Sequence, residues 1–563
     1  MPEPFLEVDQ RMTNLSAHRL IAALFMMAVI CLALVVDSAR AMELPNLRVA
    51  TSSPNINTFV KGEVADLTVK IGAGGSSGSP VVSYIVNDIW GQVVAKGIIS
   101  VNKIKGIWFG SARIPTSLFG YYKVSVKAVL AGSTLTVQSS GSRPAGYITY
   151  SVVPSPSSRE DVSEGEAFFG MQGGFSKQTT ALLPLLGVHW VLGNLDWGKL
   201  AASTNHADIA VPRELQNGGD KRVQRRRIEP LTAQYGGINW PLYPLPTLEV
   251  RPPKWLSSLS WPERYKLWSA YCRNAALLFM HSFPDRRQRI YQVTWEPNYP
   301  WQFDGSPEQL VTWTKSAFAA VHSVDKDAIV IGPTNSKLNQ NAISWSCNMI
   351  KLGLSKYVDG WSFHPYTTQS LSSSARLAQL IAGINNIKRC LESHSSRMIP
   401  LYSTEAGDQS QNNGEGLIAQ ALYIVDSNVI MKAMGLRMSI AFYIADFPKP
   451  PNYGFYYNDV PGMPFGANQV SPKPVAPAYA VMTYMLGATV PDGSVSGLQK
   501  SFYAFRFKGK SRQVIVAWSR DGAGHELSIP PGNYHIYGWM GNPMKSNAKQ
   551  IKVGQFPVYI VYK

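Results

Sequence analysis

The chain has 563 residues, of which 45% are hydrophobic and 16% are charged, and its formal net charge is +17. This composition excludes a highly charged disordered chain and supplies enough apolar material for about three domains. A basic charge of this size concerns solubility and binding partners rather than the fold.

The first element in chain order is an apolar segment, Leu20–Val36, which holds no charged residue and follows two arginines. Small residues around Ala41 meet the requirement of signal peptidase, so residues 1–41 are predicted to be a signal peptide. The alternative is an uncleaved membrane anchor, because the segment lies at the short limit of a membrane span. With either interpretation the protein is exported, to the periplasm or the extracellular space.

Residues 44–155 are predicted to form an N-terminal, immunoglobulin-like β-sandwich. Leu67, Val69 and Ile71 alternate with polar residues, and a second alternating run covers 122–128. A period of two buries one face of a strand and leaves the other in water. A linker rich in Pro and Ser follows at 154–158.

Between residues 164 and 487, short apolar runs alternate with helical periodicity. Ser306-Pro307-Glu308 predicts the start of one helix, and an apolar stripe from Tyr265 to Phe279 predicts another. Eight strand–helix repeats predict a (β/α)8 TIM barrel, although a doubly wound sheet would show the same alternation. Residues 488–563 return to β patterns and predict a small C-terminal β-domain. The predicted barrel strands are 168–175, 187–192, 231–235, 289–294, 328–331, 358–363, 398–403 and 438–444.

Cysteine spacing and binding motifs limit the other possibilities. Cys272, Cys347 and Cys390 lie outside the apolar segment, which allows one disulfide bond and one free thiol without deciding the pairing. We see no CxxC or His-rich cluster, and no Gly-rich nucleotide motif. We therefore expect no metal, no cofactor and no nucleic-acid partner, and we expect a monomer.

Two carboxylates come directly after predicted barrel strands. Glu296 stands in the sequence Thr-Trp-Glu-Pro-Asn, and Glu405 in Ser-Thr-Glu-Ala-Gly. The carboxyl ends of barrel strands carry catalytic groups, and cleavage of a glycosidic bond requires two carboxyls. The alternative is that both are surface turn residues.

These motifs resemble glycoside hydrolase clan A, and family 39-like members in particular, including bacterial exopolysaccharide hydrolases. The segments Asp359–Tyr366, Pro472–Tyr479 and Pro557–Ile560 are similar to other parts of that group. The resemblance covers residues 165–563 at the level of motifs. It implies a retaining mechanism in which Glu296 is the acid/base and Glu405 the nucleophile.

The sequence departs from the clan pattern at two points. Trp295 precedes the acid/base where clan members usually carry an Asn that holds a sugar hydroxyl. The second predicted strand also lacks the Arg that relatives place near the nucleophile, so either another residue supplies the positive partner of Glu405 or the protein works differently.

Further residues are predicted to bind substrate. Tyr366 is expected to hydrogen-bond the nucleophile, and His364 to contact the sugar or orient a carboxyl. Asn298 either caps a turn or binds substrate, and Asn335 is a weaker candidate. Aromatic residues near predicted strand ends are candidate stacking platforms for sugar rings, with core packing as the alternative for each: Trp295, Trp301, Trp240, Trp197 and Tyr443.

The segment 221–227 holds five cations in seven residues. It predicts attraction of an anionic polysaccharide, with a solvated loop as the alternative. The leading hypothesis is an exported, endo-acting glycosidase, which a water-excluding transglycosidase would resemble. The competing hypothesis is a non-catalytic carbohydrate-binding or polysaccharide-export component on the same barrel.

Overall fold

The computed structural model describes residues 45–72, 78–194, 197, 233–249, 253–286, 288–411, 413–462, 468–495, 502–521, 523–544 and 549–562. The predicted signal peptide and the basic segment 221–227 lie outside these residues. Among the helices that are described, none is long and apolar enough to cross a membrane.

Two β-sheets form the N-terminal part of the described chain. Their strands are β1 (Asn46–Thr51), β2 (Thr58–Val60), β3 (Asp66–Gly72), β4 (Val81–Asn87), β5 (Val93–Ile99), β6 (Val101–Ile104), β7 (Ile107–Arg113), β8 (Gly120–Leu130), β9 (Ser133–Thr136) and β10 (Ile148–Val153). One sheet has the order β1-β3-β7-β6 and the other β2-β10-β8-β4-β5, with β9 on β8. Leu67, Val69 and Ile71 are buried in β3, as their alternation predicts.

A closed barrel follows the linker. The next elements are β11 (Phe169–Gln172), β12 (Trp190–Asn194), the hairpin β13 (Ala233–Tyr235) and β14 (Ile238–Trp240), and then β15 (Tyr243–Thr247), β16 (Ile290–Gln292), β17 (Ile329–Asn335), β18 (Gly360–Phe363), β19 (Leu401–Ala406) and β20 (Met438–Phe442). All of these except the hairpin form one parallel barrel, which β20 closes by pairing with β11. The predicted (β/α)8 barrel is confirmed, and the doubly wound alternative is wrong.

The third barrel strand is not where the sequence predicts it. Residues 231–235 were expected to supply it, but Ala233–Tyr235 pairs antiparallel with Ile238–Trp240, outside the barrel. The strand is instead β15, whose Pro244 and Pro246 hide it from a propensity-based prediction, since proline removes a ladder hydrogen bond. With its neighbour β16, β15 pairs through one position, Thr247 with Gln292.

Seven helices of the described chain pack around the barrel. They are α1 (Leu182–Leu186), α2 (Trp261–Ser282), α3 (Pro307–His322), α4 (Gln340–Lys351), α5 (Ser373–His394), α6 (Gly414–Ala433) and α7 (Val475–Leu486). The predicted start of α3 is confirmed: the Ser306 side chain accepts from the Gln309 N–H, the Gln309 side chain accepts from the Ser306 N–H, and Pro307 opens the helix. In α2, the predicted stripe buries Trp268, Cys272 and Phe279.

The remaining strands lie after the last barrel strand. A small pair, β21 (Tyr456–Asn458) and β22 (Val470–Pro472), belongs to the connection between β20 and α7. The C-terminal strands are β23 (Thr489–Ser494), β24 (Phe502–Gly509), β25 (Gln513–Ser519), β26 (His525–Ser528), β27 (Tyr534–Tyr537), β28 (Gln550–Val553) and β29 (Val558–Tyr562). Five of them form a sheet in the order β23-β24-β25-β29-β27. The expectation of β-rich regions on both sides of the barrel is confirmed.

The N-terminal sandwich packs on the connection that follows the eighth barrel strand. The Asn57 amide donates to the Val470 carbonyl at 3.0 Å, and the Thr149 hydroxyl donates to the Pro472 carbonyl at 2.8 Å. The C-terminal sheet holds the sandwich too, because the Asn542 side chain exchanges two hydrogen bonds with the backbone of Phe119. Connections after barrel strands lie at the carboxyl end of the barrel, so the sandwich braces that end.

One disulfide bond ties two barrel helices together. Cys347 of α4 and Cys390 of α5 are bonded, with their Cα atoms 5.5 Å apart. Cys272 is a buried free thiol. One bridge and one free thiol are what the sequence allowed, and the structure decides which pair forms.

Candidate active site

The two predicted carboxylates meet at the carboxyl end of the barrel. Glu296 follows β16 after a short extension, and Glu405 is the fifth residue of β19. The register between β19 and β20 shifts between Ser403 and Ala406. A shift of this kind re-aims the side chains beside it, and here it flanks Glu405.

The backbone at Glu296 adopts an unusual conformation. Its φ is +49°, and that of Thr334 at the end of β17 is +62°. The Glu296 N–H donates to the Thr334 carbonyl at 3.0 Å, so the two residues hold each other in place. Left-handed backbone at residues other than glycine costs about 1–3 kcal/mol and persists where the surroundings enforce it, which is common at functional sites.

Glu296, His364 and Glu405 form a compact triad of donor and acceptor atoms. One carboxylate oxygen of each Glu and one ring nitrogen of His364 all lie within 4.8 Å of one another. Carboxyl groups about 5–5.5 Å apart allow one of them to attack a sugar directly, whereas inversion needs about 6.5–9.5 Å for an intervening water. One oxygen of each carboxyl lies within 4.8 Å of the other, which is compatible with the shorter separation.

His364 links the two carboxylates electrostatically. Its Nδ1 lies 2.8 Å from Glu296 Oε1, and the side chain is fully buried. Burial lowers the pKa of His364, but the negative charges of Glu405 and Glu296 outweigh burial and leave the pKa above its ordinary value. The raised pKa favours the positively charged form of His364, which lies between the two acids.

Tyr366 hydrogen-bonds the predicted nucleophile, as expected. Its hydroxyl donates to Glu405 Oε1 at 2.7 Å, while Glu405 Oε2 is buried and has no hydrogen-bond partner among the described residues. Burial raises the pKa of Glu405 to about 7, and Glu296 adds to this effect, whereas His364 and the Tyr366 hydroxyl oppose it. Double displacement requires one carboxyl to be ionised while the other is protonated.

The same three side chains are the group in the described chain that could hold a metal ion. Within this group, His364 Nδ1 is hydrogen-bonded to Glu296 Oε1. The Tyr366 hydroxyl donates to Glu405 Oε1. A donor hydrogen bond on each carboxylate is the arrangement of an acid–nucleophile pair. The geometry therefore fits acid–base chemistry.

Trp295 lies beside His364 instead of offering an amide to a sugar. The two rings are 4.7 Å apart at an interplanar angle of 68°, and Trp295 also packs on the apolar cluster inside the barrel. Trp295 thus packs on both the His364 ring and the apolar interior of the barrel. In the described chain, His364 is a positive partner for Glu405. It takes the role of the Arg that the second strand lacks.

The two predicted Asn residues lie at or just after the ends of barrel strands. The Asn298 amide donates to Ser336 Oγ at 2.8 Å and its oxygen accepts from the Ser336 N–H at 3.0 Å, which pins the loop after β16 to the end of β17. Asn335 is fully buried, and its Oδ1 has no partner in the described residues. The contacts of Asn298 therefore brace a turn. Asn335 remains a candidate for binding a ligand.

The predicted aromatic platforms separate into different environments. Trp301 is 64% exposed and stacks on Tyr299 with ring centroids 5.9 Å apart. Tyr443 is buried beside Phe442 and Phe447, and Trp197 is buried among Trp268, Tyr271 and Trp313. Of these candidates, Trp301 offers an open ring.

Trp240 does not belong to the site. Its indole N–H donates to the Val188 carbonyl at 2.6 Å and its ring stacks on His189 at 4.5 Å. Both partners precede β12, at the amino end of the barrel and opposite the carboxylates. The prediction failed because the hairpin that carries Trp240 was taken for a barrel strand.

The sequence analysis missed Phe442 and Tyr453, which lie beside the carboxylates. Tyr453 is 6.1 Å from the Tyr366 ring and 5.1 Å from the Phe442 ring, and both rings are half-buried. The charge of Glu405 contributes to raising the pKa of Tyr453, after burial. Tyr453 sits in the long connection after β20, where no pattern in the sequence marks it.

Comparisons with known proteins give a structural likeness and no close relative. No protein-family model matches the chain, and no curated protein does. Solved structures that resemble it include a GH30 endoxylanase from Clostridium papyrosolvens C71 (14% identity, 72% of this chain and 97% of that chain, TM-score 0.43) and a GH39 β-xylosidase from Caulobacter crescentus (12%, 72% and 98%, 0.43). A family 51 α-L-arabinofuranosidase from Bifidobacterium longum is similar to the same degree (12%, 71% and 96%, 0.45).

These structures agree with the resemblance to glycoside hydrolases, family 39 among them, that the motifs predict. Their identities lie at or below 14% and their TM-scores below 0.5. A likeness at this level carries no activity over to this chain, so the activity has to be argued from the site itself.

Proposed function

We propose that the protein is a glycoside hydrolase that cleaves a polysaccharide with retention of configuration at the sugar. The observation that supports it is the pair Glu296 and Glu405, whose oxygens lie within 4.8 Å of each other at the carboxyl end of a barrel. The two acids have different hydrogen-bond donors, His364 for Glu296 and Tyr366 for Glu405. Such a difference separates the roles of two otherwise identical groups.

In the first step, ionised Glu405 attacks the anomeric carbon and protonated Glu296 gives its proton to the leaving oxygen. A covalent glycosyl–enzyme forms on Glu405, and the leaving sugar departs as an alcohol. In the second step, Glu296, now ionised, takes a proton from water, the water oxygen attacks the anomeric carbon, and the bond to Glu405 breaks.

Buried polar atoms at the barrel mouth support a polar ligand there. In the described chain, Gln172 Oε1, Gln292 Oε1 and Asn335 Oδ1 are buried without hydrogen-bond partners, as are His364 Nε2 and Glu405 Oε2. They come from five strands at the same end of the barrel. Buried polar groups normally find partners, and sugar hydroxyls or ordered water would satisfy these.

We propose further that the protein is exported and that its substrate is a bacterial exopolysaccharide, of the kind found in biofilms, cleaved within the chain. The apolar segment Leu20–Val36 supports export, and the disulfide bond between Cys347 and Cys390 is typical of an oxidising compartment. The net charge of +17 favours attraction of an acidic polymer.

The test is release of reducing ends by the purified protein from a panel of neutral and anionic polysaccharides. We expect product from at least one polymer, no product after Glu296→Gln or Glu405→Gln, and wild-type turnover after Glu526→Gln, which changes an exposed Glu of the C-terminal sheet. EDTA in the assay is expected to leave turnover unchanged. Proton NMR of the first product reports the anomer, and an inverted product would contradict the retaining mechanism.

Trp295 is the observation that favours a second candidate, a non-catalytic carbohydrate-binding protein. It occupies the position of an amide that clan members use on the sugar, and its ring packs on His364 and on the apolar cluster inside the barrel. A binder would retain one polymer in affinity electrophoresis with no product, and Glu405→Gln would change neither result.

A further inference from the structure

A second pocket lies at the rim of the barrel, next to the loop that carries Glu296. Its volume is about 390 Å³, within the range of small-ligand sites. We call it the rim pocket and define it by six of its lining residues: Glu249, Trp261, Arg264, Trp301, Phe303 and Asp304. The proposed chemistry of the two carboxylates gives this pocket no role.

The loop that lines the rim pocket is hydrogen-bonded to Glu296 through its backbone. The Tyr299 N–H donates to the Glu296 carbonyl at 3.0 Å, and the Gln302 N–H donates to the Tyr299 carbonyl at 2.9 Å. These turns fix Trp301 relative to Glu296. On the other side of the pocket, the Glu249 N–H donates to the Val293 carbonyl at 3.2 Å, three residues before Glu296.

The wall of the pocket offers an open aromatic face. Trp301 is 64% exposed, although one side of it stacks on Tyr299. Water contact with so much indole surface is unfavourable, and the loop's hydrogen bonds nevertheless hold the ring in this position. The apolar C–H face of a pyranose is a partner that such a ring suits.

The floor offers hydrogen bonds without net charge. The Arg264 guanidinium is paired with Asp304 at 3.0 Å and also donates to the Ser257 and Leu259 carbonyls, so a carboxylate balances its charge. Glu249 is 4% exposed and accepts from the Trp313 indole N–H at 2.7 Å. Burial raises the pKa of Glu249 to about 8, so this carboxyl is neutral at pH 7 and carries an O–H donor.

We propose that the rim pocket binds a neutral sugar unit of the polymer on the leaving-group side of the bond that is cleaved, with its ring stacked on Trp301. The proposal rests on the proposed glycosidase function. The side follows from the chemistry: the acid/base must face the leaving oxygen, and the pocket is built on the acid/base's own loop. The sugar unit is inferred to be neutral because Arg264 is paired and Glu249 is uncharged. This inference concerns one unit of the polymer, and other parts of the protein attract the polymer by charge.

The test compares two kinds of substrate on the full-length protein. One is the polysaccharide that the wild type cleaves, and the other a 4-nitrophenyl glycoside, whose leaving group is not a sugar. For Trp301→Ala we expect kcat/KM on the polymer to fall about 10-fold, the equivalent of one good stacking contact, with no change on the nitrophenyl glycoside. Trp301→Phe should restore most of the polymer activity. Leu371→Ala, which removes another exposed apolar side chain from the connection after β18, should change neither substrate.

The outcomes separate the subsite from the activity. Equal activity of Trp301→Ala and wild type on both substrates would overturn the subsite and leave the glycosidase standing, and so would an equal loss on both. A polymer-specific loss that disappears at 1 M NaCl would overturn the neutral assignment, because stacking is not screened by salt. If the wild type cleaves neither substrate, the proposed function fails and the subsite fails with it.

Discussion

The lower and upper halves of the barrel interior have opposite chemistry. The lower half is an apolar cluster that includes Trp190, Leu245, Ile331, Tyr402 and Ile440, all buried. The upper half, two to four residues further along the same strands, holds Thr247, Asn335 and Glu405, with buried polar atoms that lack partners in the described chain. The lower half closes the barrel and stabilises it. The upper half costs stability and is where a ligand would be bound.

The comparison predicts that changes in the upper half act on turnover far more than on folding. Glu405→Ala should lower kcat by roughly 10⁴-fold or more, since a nucleophile cannot be replaced by its surroundings. Azide should restore part of the activity by entering the vacated space and should give a glycosyl azide of inverted configuration. With Glu296→Ala, azide should give the retained configuration instead. The same anomer from both variants would refute the assigned roles.

Removing the groups that oppose burial at Glu405 should move the pH profile. His364→Gln removes a positive charge and Tyr366→Phe removes a donor, so both should raise the pKa of Glu405 further above 7. Because the nucleophile must be ionised, the acidic limb of kcat/KM against pH should shift to higher pH, with a loss of about 10–100-fold near pH 7. A loss without any shift of the limb would show that these residues act by packing alone.

A change in the lower half should do the reverse. Ile331→Ala deletes buried apolar volume and should lower the free energy of unfolding by about 2–5 kcal/mol. Turnover per folded molecule should stay within about twofold, since the substitution leaves the hydrogen bonds of the carboxylates intact. Urea unfolding followed by Trp fluorescence, together with active-site-normalised kinetics, checks both halves of this expectation.

The smallest expected effect is on the free energy of unfolding, which burial of the Glu405 carboxyl lowers. The pKa of Glu405 is about 7 in the folded chain and 4.5 as its ordinary value, so between these pH values the unfolded chain releases a proton that the folded chain retains. Stability therefore falls as the pH rises from 4.5 to 7. Glu405→Gln does not titrate, so its Tm should exceed that of the wild type by a few degrees at pH 7.5 and by little at pH 4. Equal differences at both pH values would contradict the buried carboxyl as the cause.

Individual residues explain which predictions succeeded. Ser306 and Pro307 mark a helix start through local hydrogen bonds, so a single segment is sufficient to identify α3. Glu296 and Glu405 are 109 positions apart, yet a barrel brings the ends of all its strands together, so both could be placed from the fold class. Trp240 and β15 were misplaced because a hairpin run and a barrel run look alike, and Pro244 and Pro246 conceal the true strand.

The sequence by itself determined the order of β and α elements, the barrel class and the two acidic residues, because hydrophobic period and strand-end motifs are local properties. The tertiary structure decided that His364 supplies the positive charge near Glu405, that Cys347 pairs with Cys390, and that Tyr453 packs beside Tyr366. These facts depend on which distant segments meet and on how deeply each group is buried. Distances and burial set charge and hydrogen bonding, and neither can be read from neighbours in the chain.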